Sequence, residues 1–256
     1  MKKVTVFIGS PQKRATYQAV QEFEKKLKSY GEIDFEYVFL KDYHLEYCSG
    51  CCLCFEKGKE YCPLKDDRDV LLEKMNSSDG VIFATPSYSF QVTAPMKNLL
   101  DRMAFVHHRP QFFGKAFTSI VTYGIFGGAS IVKYLETMGE NFGFHAARGC
   151  SLMTLEPRTE RQQKKISKEI EKASIRFYKE LMRQTPSAPS FFRLMIFRLC
   201  RTSMKLARDD KSRDYCYYKE KGWFESDYYY DVHLGFVKKF AGRFFDFLTQ
   251  MMVKSR

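Results

Sequence analysis

The chain has 256 residues, 45% of them apolar and 16% aromatic, enough for one full α/β core with roughly a hundred residues left over. No apolar run approaches the ~18 residues that span a bilayer, and Met1-Lys2-Lys3 leads into only Val4 to Ile8 before Gly9-Ser10-Pro11, so neither a membrane span nor a signal peptide is expected. The net charge of +12 is carried mostly by residues 151–256, with 23 Lys and Arg against 13 Asp and Glu, whereas residues 1–150 are nearly balanced at 19 against 17.

In chain order, short β-branched or aromatic runs alternate with segments of helical period. The runs are Val4 to Ile8, Phe35 to Leu40, Val81 to Ala84, Phe117 to Thr122 and His145 to Leu152. Between them, Val20, Phe23, Leu27 and Tyr30 share one helical face, as do Met96, Leu99, Leu100 and Met103, and Ile131, Tyr134, Leu135 and Met138. A later face of Ile166, Ile170, Ala173, Phe177 and Leu181 closes the set. Five strands alternating with helices predict a parallel sheet in the doubly wound order 2-1-3-4-5, helices on both sides.

Three loops leave the carboxyl ends of these strands, where such sheets bind ligands. After strand 1, Gly9-Ser10-Pro11-Gln12-Lys13-Arg14-Ala15-Thr16 leads into a helix; its backbone N–H groups, Ser10 and Thr16 can surround a phosphate, with Lys13 and Arg14 adding charge. Neither G-x-x-x-x-G-K-[ST] nor G-x-G-x-x-G occurs, which disfavours nucleotides held in those ways. After strand 3, Thr85-Pro86-Ser87-Tyr88-Ser89-Phe90 offers an edge for a flat ring, with amides and hydroxyls for its polar rim. After strand 4, Thr122-Tyr123-Gly124-Ile125-Phe126-Gly127-Gly128 has glycines that permit close backbone approach.

After strand 2, five of the eight cysteines crowd together. Cys48, Cys51, Cys54 and Cys62 have the spacing C-x2-C-x2-C-x7-C, which suits a soft metal centre; Cys52 is a spare thiol. A [4Fe–4S] cluster, a zinc site and a metal-free thiol loop all remain open on spacing alone. Cytoplasm is the expected compartment, where thiols stay reduced and disulfides do not account for the cysteines. Asp66-Asp67 are expected to cap the next helix, His107-His108 to be solvated, and Cys150, Cys200 and Cys216 to fill space.

Beyond Pro186 and Pro189, Phe191 to Leu206 reads as an amphipathic helix with Arg198, Arg201 and Lys205 on one face. Packing over the domain or across a subunit interface is the favoured reading, ahead of contact with a membrane surface. Tyr215 to Tyr218, Trp223-Phe224 and Tyr228 to Tyr230 then precede a final amphipathic helix bearing Phe236, Phe240, Phe244 and Phe247.

The G-S-P near residue 10, the P-x-Y element followed by P-M-K and D-R, and the glycine-bearing loop after strand 4 together resemble the NAD(P)H-dependent FMN reductase and iron–sulfur flavoprotein superfamily. The resemblance covers about residues 1–180 and implies a flavodoxin-like three-layer sandwich with an FMN site. By it, Ser10, Gln12, Lys13 and Thr16 hold the FMN phosphate; Pro86, Ser87, Tyr88, Ser89 and Phe90 hold the ring and ribityl chain; and Thr122, Tyr123, Gly124 and Gly127 close the far side. Ala15 departs from the Gly or Asn usual in the family at that place. The cysteine spacing resembles the [4Fe–4S] motif of the iron–sulfur flavoproteins, with Cys48, Cys51, Cys54 and Cys62 as ligands. The expected division is residues 1–185 as the FMN-binding domain, with a cysteine-rich loop at 44–67, and residues 186–256 as a basic helical extension.

The expected function is electron transfer between a reduced donor, ferredoxin or NAD(P)H, and an acceptor through FMN and the cluster. The alternatives are a cluster-free NAD(P)H-dependent reductase of flavin, quinone or nitro compounds, and a non-enzymatic redox or metal sensor. The resemblance and the aromatic tail favour a homodimer or homotetramer; no nucleic-acid partner is expected. The sequence singles out no catalytic residue.

Overall fold

The computed structural model describes residues 1–254 and divides into two compact units, residues 1–49 with 64–184, and residues 50–63 with 185 onward. In the first unit, strands β1 (Lys2–Ile8), β2 (Ile33–Phe39), β3 (Gly80–Pro86), β4 (Ala116–Tyr123), β5 (His145–Ala146) and β6 (Cys150–Met153) form one wholly parallel sheet. The order is β2-β1-β3-β4-β5, with β6 also pairing β4. This is the expected doubly wound order. The single fifth strand expected at residues 145–152 is divided into β5 and β6. Between them, Gly149 donates its N–H to the Glu136 carboxylate at 2.9 Å instead of to the sheet. A Cβ at Gly149 would lie 2.3 Å from the Ser119 carbonyl oxygen, so the detour presses backbone directly on β4.

Strand alternation explains why both faces need helices. Val4, Val6, Ile8, Ile82 and Ile120 are buried on one face with Val20, Phe23 and Leu27 of α1 (Ala15–Lys28) and Ile166, Ile170 and Phe177 of α7 (Glu160–Leu181). On the other face Phe7, Phe83 and Phe117 run edge to face across three strands, with centroids 5.7 and 5.0 Å apart. There Gly139 of α6 (Gly128–Phe142) lies so close to Phe117 that a Cβ would meet its ring at 2.4 Å. Helices α3 (Arg68–Asn76), α4 (Ala94–Arg102) and α5 (Phe105–His108) complete this unit. The expected apolar stripe of α4 is buried throughout, at Met96, Leu99, Leu100 and the adjoining Met103.

The second unit holds α2 (Leu53–Glu56), which packs on α9 (Arg213–Glu220), and the parallel-running pair α8 (Phe191–Ala207) and α10 (Phe236–Lys254). Its core is aromatic: Trp223 packs edge to face on Tyr218 and Tyr229 at 4.9 and 4.7 Å, and Phe197 on Tyr229 at 4.5 Å. The Trp223 indole N–H donates to the Tyr229 carbonyl at 2.9 Å. The arginine face of α8 turns inward. Arg198 and Arg201 donate to Asp246 at 2.9 and 2.7 Å, and Thr202 donates to the same carboxylate at 2.7 Å. Among the described residues no helix is long and apolar enough to cross a membrane.

Candidate functional site

The site is built where β1, β3, β4 and β6 end, all in the first unit. Gly9 continues the register of β1 by donating to Ala84 O at 2.8 Å, and its carbonyl accepts from Thr93 Oγ1 at 2.9 Å. A Cβ there would lie 2.6 Å from that hydroxyl, so glycine lets the loop bend against the start of α4. Ser10 then donates to Gln12 O at 2.7 Å, shaping the turn into α1. No side chain caps α1 and no acidic residue stands in its first turn, so its end stays open to an anion.

Two cross-links bring the other loops to this turn. Thr16 Oγ1 and Thr122 Oγ1 are hydrogen-bonded at 2.7 Å, both buried, joining α1 to the end of β4. Ser87 N–H donates to Thr122 O at 2.7 Å, and Thr154 N–H to Tyr123 O at 2.9 Å. Together they enclose a cavity of about 400 Å³ lined by Ser10, Gln12, Thr16, Pro86, Ser87, Tyr88, Thr122, Tyr123 and Gly124. Pro11, Arg14, Ala15 and Thr154 complete the wall. Arg14 is the charged side chain on it, and no carboxylate lines it among the described residues.

Four of the expected residues stand apart from this cavity. The Lys13 ammonium lies 5.6 and 5.1 Å from the ring centroids of Tyr17 and Phe39, so the cation on the wall is Arg14. Ser89 and Phe90 form the tip of a two-residue turn closed by reciprocal 3.0 Å bonds between Tyr88 and Gln91. Both tip residues are left-handed, with φ of 49° and 62°, a strained conformation for an aromatic residue. Phe90 stacks on Phe126 at 5.1 Å, and Gly127 (φ 95°) sits beneath it, where a Cβ would come within 2.9 Å of the Phe90 ring. Thr154 was missed by sequence reasoning. Its signal is its place one residue past β6, on the same rim as the other strand ends.

A larger cavity, about 650 Å³, lies at the sheet edge between α6, β6 and α7, lined by residues including Glu136, Arg148, Glu169 and Arg176. Its walls are the flanks of α6 and α7 and the Arg148–Ser151 stretch at the start of β6, away from the carboxyl ends of the strands. The strand-end cavity is therefore the candidate site.

The segment carrying the cysteines is pinned at its base within the first unit. Asp67 N–H donates to His44 O at 2.9 Å, and the His44 and Glu46 N–H groups donate to Asp67 and Asp66 at 2.7 and 2.9 Å. Asp66 also receives Arg102 Nη2 at 3.0 Å in an ion pair whose side chains are 1% and 2% exposed. Arg102 and Asn98, one turn apart on α4, donate to the Glu46 and Leu45 carbonyls at 2.7 and 2.8 Å. Burial works to raise the Asp66 pKa, but the Arg102 guanidinium and two backbone N–H groups outweigh it and hold the carboxyl below its ordinary range. The expected capping role of Asp66-Asp67 is met in part, by Asp66 alone, which also serves this clasp. Asp67 stands at the N-cap of α3 without a side-chain capping bond, and Asp66 receives the Arg68 N–H at 3.2 Å.

Cys48, Cys51 and Cys52 are exposed, and Cys54 and Cys62 half-buried. Among the described residues no three Cys, His, Asp or Glu side chains are gathered as ligands for a metal ion. His107 packs edge-on against Phe142 at 4.9 Å, away from the cavity wall.

Comparison with known proteins agrees with this architecture. An iron–sulfur flavoprotein of Archaeoglobus fulgidus is 33% identical over 142 residues, 55% of this chain and 64% of that protein, so the match spans under two thirds of its length. One of Clostridioides difficile is 28% identical over 171 residues, 64% of this chain and 75% of that protein. The NAD(P)H:quinone oxidoreductase of Methanothermobacter marburgensis, 16% identical, has the same fold, with a TM-score of 0.55 over 68% of this chain and 95% of that one. The model of the NADPH-dependent FMN reductase family matches residues 2–155, and the chain belongs to that family.

Proposed function

We propose that this protein is an oxidoreductase that holds FMN in the strand-end cavity and transfers electrons from a reduced nicotinamide or a protein donor. One observation carries the reading: Ser10, Thr16, Tyr88, Thr122 and Tyr123, from three separate loops, line one cavity at the uncapped start of α1. The residues fit the group. The cavity has the volume of a small-cofactor site, a helix N-terminus and Arg14 suit a phosphomonoester, and Tyr88 and Tyr123 suit the edge of a flat ring.

Bound there, FMN supplies a ring that accepts electrons in pairs and releases them singly or in pairs. The chain's part is binding and positioning. Ser10, Gln12, Thr16 and the first amides of α1 hold the phosphate, with Arg14 as counter-charge. Pro86, Ser87 and Tyr88, opposite Tyr123 and Gly124, hold the ring, and the Thr16–Thr122 bond keeps the two halves in register. We place Lys13, Ser89, Phe90 and Gly127 in the surrounding support. No His, Cys, Asp or Glu side chain lines the cavity among the described residues, so its wall orients reactants without a proton-transfer group of near-neutral pKa. The same reading takes residues 1–185 as the flavin-binding domain of a homo-oligomer.

The test is titration of flavin-free protein with FMN and with riboflavin, followed by flavin fluorescence. FMN should bind at least about tenfold more tightly, since riboflavin lacks the phosphate. Equal affinities, or no binding of either, would sink the assignment.

A [4Fe–4S] cluster on Cys48, Cys51, Cys54 and Cys62 is a second proposal, supported by the cysteine spacing and by the names of the relatives. Among the described residues the thiols as they stand are not gathered as a ligand set. Iron and sulfide analysis after anaerobic preparation decides it: Cys54→Ser should remove the iron and leave the FMN. Flavin without iron in the unaltered protein establishes the cluster-free reductase instead.

A further inference from the structure

Helix α10 is amphipathic in the reverse sense to a helix of an ordinary domain. Its packed side is small or polar. Gly242 lies against the Arg198 guanidinium, Asp246 receives Arg198, Arg201 and Thr202, and Thr249 is buried. Apart from the half-buried Ala241 and Phe245, its apolar residues are exposed. Phe236, Phe240, Phe244, Phe247 and Met251 recur at i, i+4, i+8, i+11 and i+15, within roughly 80° of one another on a 3.6-residue helix. They are 86%, 68%, 50%, 56% and 56% exposed, and Leu248 extends the stripe. A continuous aromatic face of this size is unusual on a protein surface that meets only water.

The charges beside the stripe have one sign. Lys239 and Arg243, both exposed, border it, whereas Lys238 lies on the packed side, reaching over the Phe191 ring of α8 at 5.9 Å. Asp246, the one acidic residue in the helix, is turned inward and neutralised by two arginines. A second copy of this face would bring cations against cations, which costs affinity. An anionic bilayer surface complements both features, because lipid phosphates match the Lys and Arg ammonium and guanidinium groups while the phenyl rings enter the headgroup boundary. Nineteen residues at 1.5 Å each give about 28 Å, a helix that lies in the plane of the interface.

We propose that the outward face of α10 docks the protein on anionic lipid bilayers. The experiment is co-sedimentation of the full-length purified protein with vesicles of phosphatidylcholine alone, or with about 30 mol % phosphatidylglycerol. The anionic vesicles should bind at least about tenfold more protein than the neutral ones, with binding weakened by salt. Phe240→Ser with Phe247→Ser should lower that binding at least about tenfold, and Lys239→Glu with Arg243→Glu should remove the preference for anionic lipid. All four residues are exposed, so circular dichroism and flavin content should be unchanged. Failure of the unaltered protein to bind anionic vesicles overturns the proposal, as does binding that the double serine variant leaves intact. A dimer that ignores vesicles and that the serine variant converts to monomer also overturns it and assigns the face to a second copy.

Discussion

Replacing Asp66 with Asn tests the clasp beneath the cysteine segment. The substitution keeps the shape but removes the charge opposite Arg102, whose side chain is 2% exposed and keeps a 2.7 Å bond to the Glu46 carbonyl. Breaking a buried ion pair on one side costs about 3–5 kcal/mol; because an Asn oxygen and the Glu46 carbonyl still accept, the loss should be near the lower end, about 3 kcal/mol. The pH dependence gives an independent reading. The folded Asp66 carboxyl is held below its ordinary range, so its stabilisation is present above the unfolded value of about 4 and is lost as pH falls through the folded one. Urea unfolding followed by circular dichroism should show the gap between the two proteins at its full width at pH 7 and narrowing below about pH 4. Native trypsin digestion should cut the variant faster at Lys57, Lys59 or Lys65, all exposed. A loss under about 1 kcal/mol, or a gap constant from pH 7 to pH 3, would refute the reasoning.

Arg14→Ala should weaken FMN binding about tenfold, Lys13→Ala much less, and neither should change riboflavin binding; fluorescence titration checks all three. Gly149→Ala puts a methyl 2.3 Å from the Ser119 carbonyl oxygen and should cost about 3 kcal/mol in urea unfolding; an unchanged midpoint would mean the edge strand yields freely. Burial pushes the Cys150 thiol up to about 12. Iodoacetamide at pH 8 followed by peptide mass spectrometry should therefore leave Cys150 unmodified in native protein while labelling the exposed Cys52.

The fold was legible because its signals are local. Val20, Phe23 and Leu27, or Ile166 through Leu181, need only their own spacing to declare a buried helical face, and the runs at residues 4–8, 81–84 and 117–122 declare buried strands in the same way. Most of the candidate site was legible for a related reason. In a parallel sheet every strand-to-helix turn falls on one rim, so Ser10, Tyr88 and Tyr123 were bound to be neighbours once the strand order was known.

Residue type and spacing thus determined the alternation of strands and helices and hence a parallel sheet, and the doubly wound class then supplied the strand order and the loops that converge. Only the tertiary structure decided which cation faces the cavity, because the choice between Lys13 and Arg14 depends on the Tyr17 and Phe39 rings that draw Lys13 aside. It also decided that Asp66 meets Arg102 across 36 positions, and that Arg198 and Arg201 turn inward to Asp246 while Phe236, Phe240, Phe244 and Phe247 of α10 are exposed. Periodicity fixes that a helix has two faces, but which face is covered depends on the charge and shape of elements distant in the chain, and no local pattern records them.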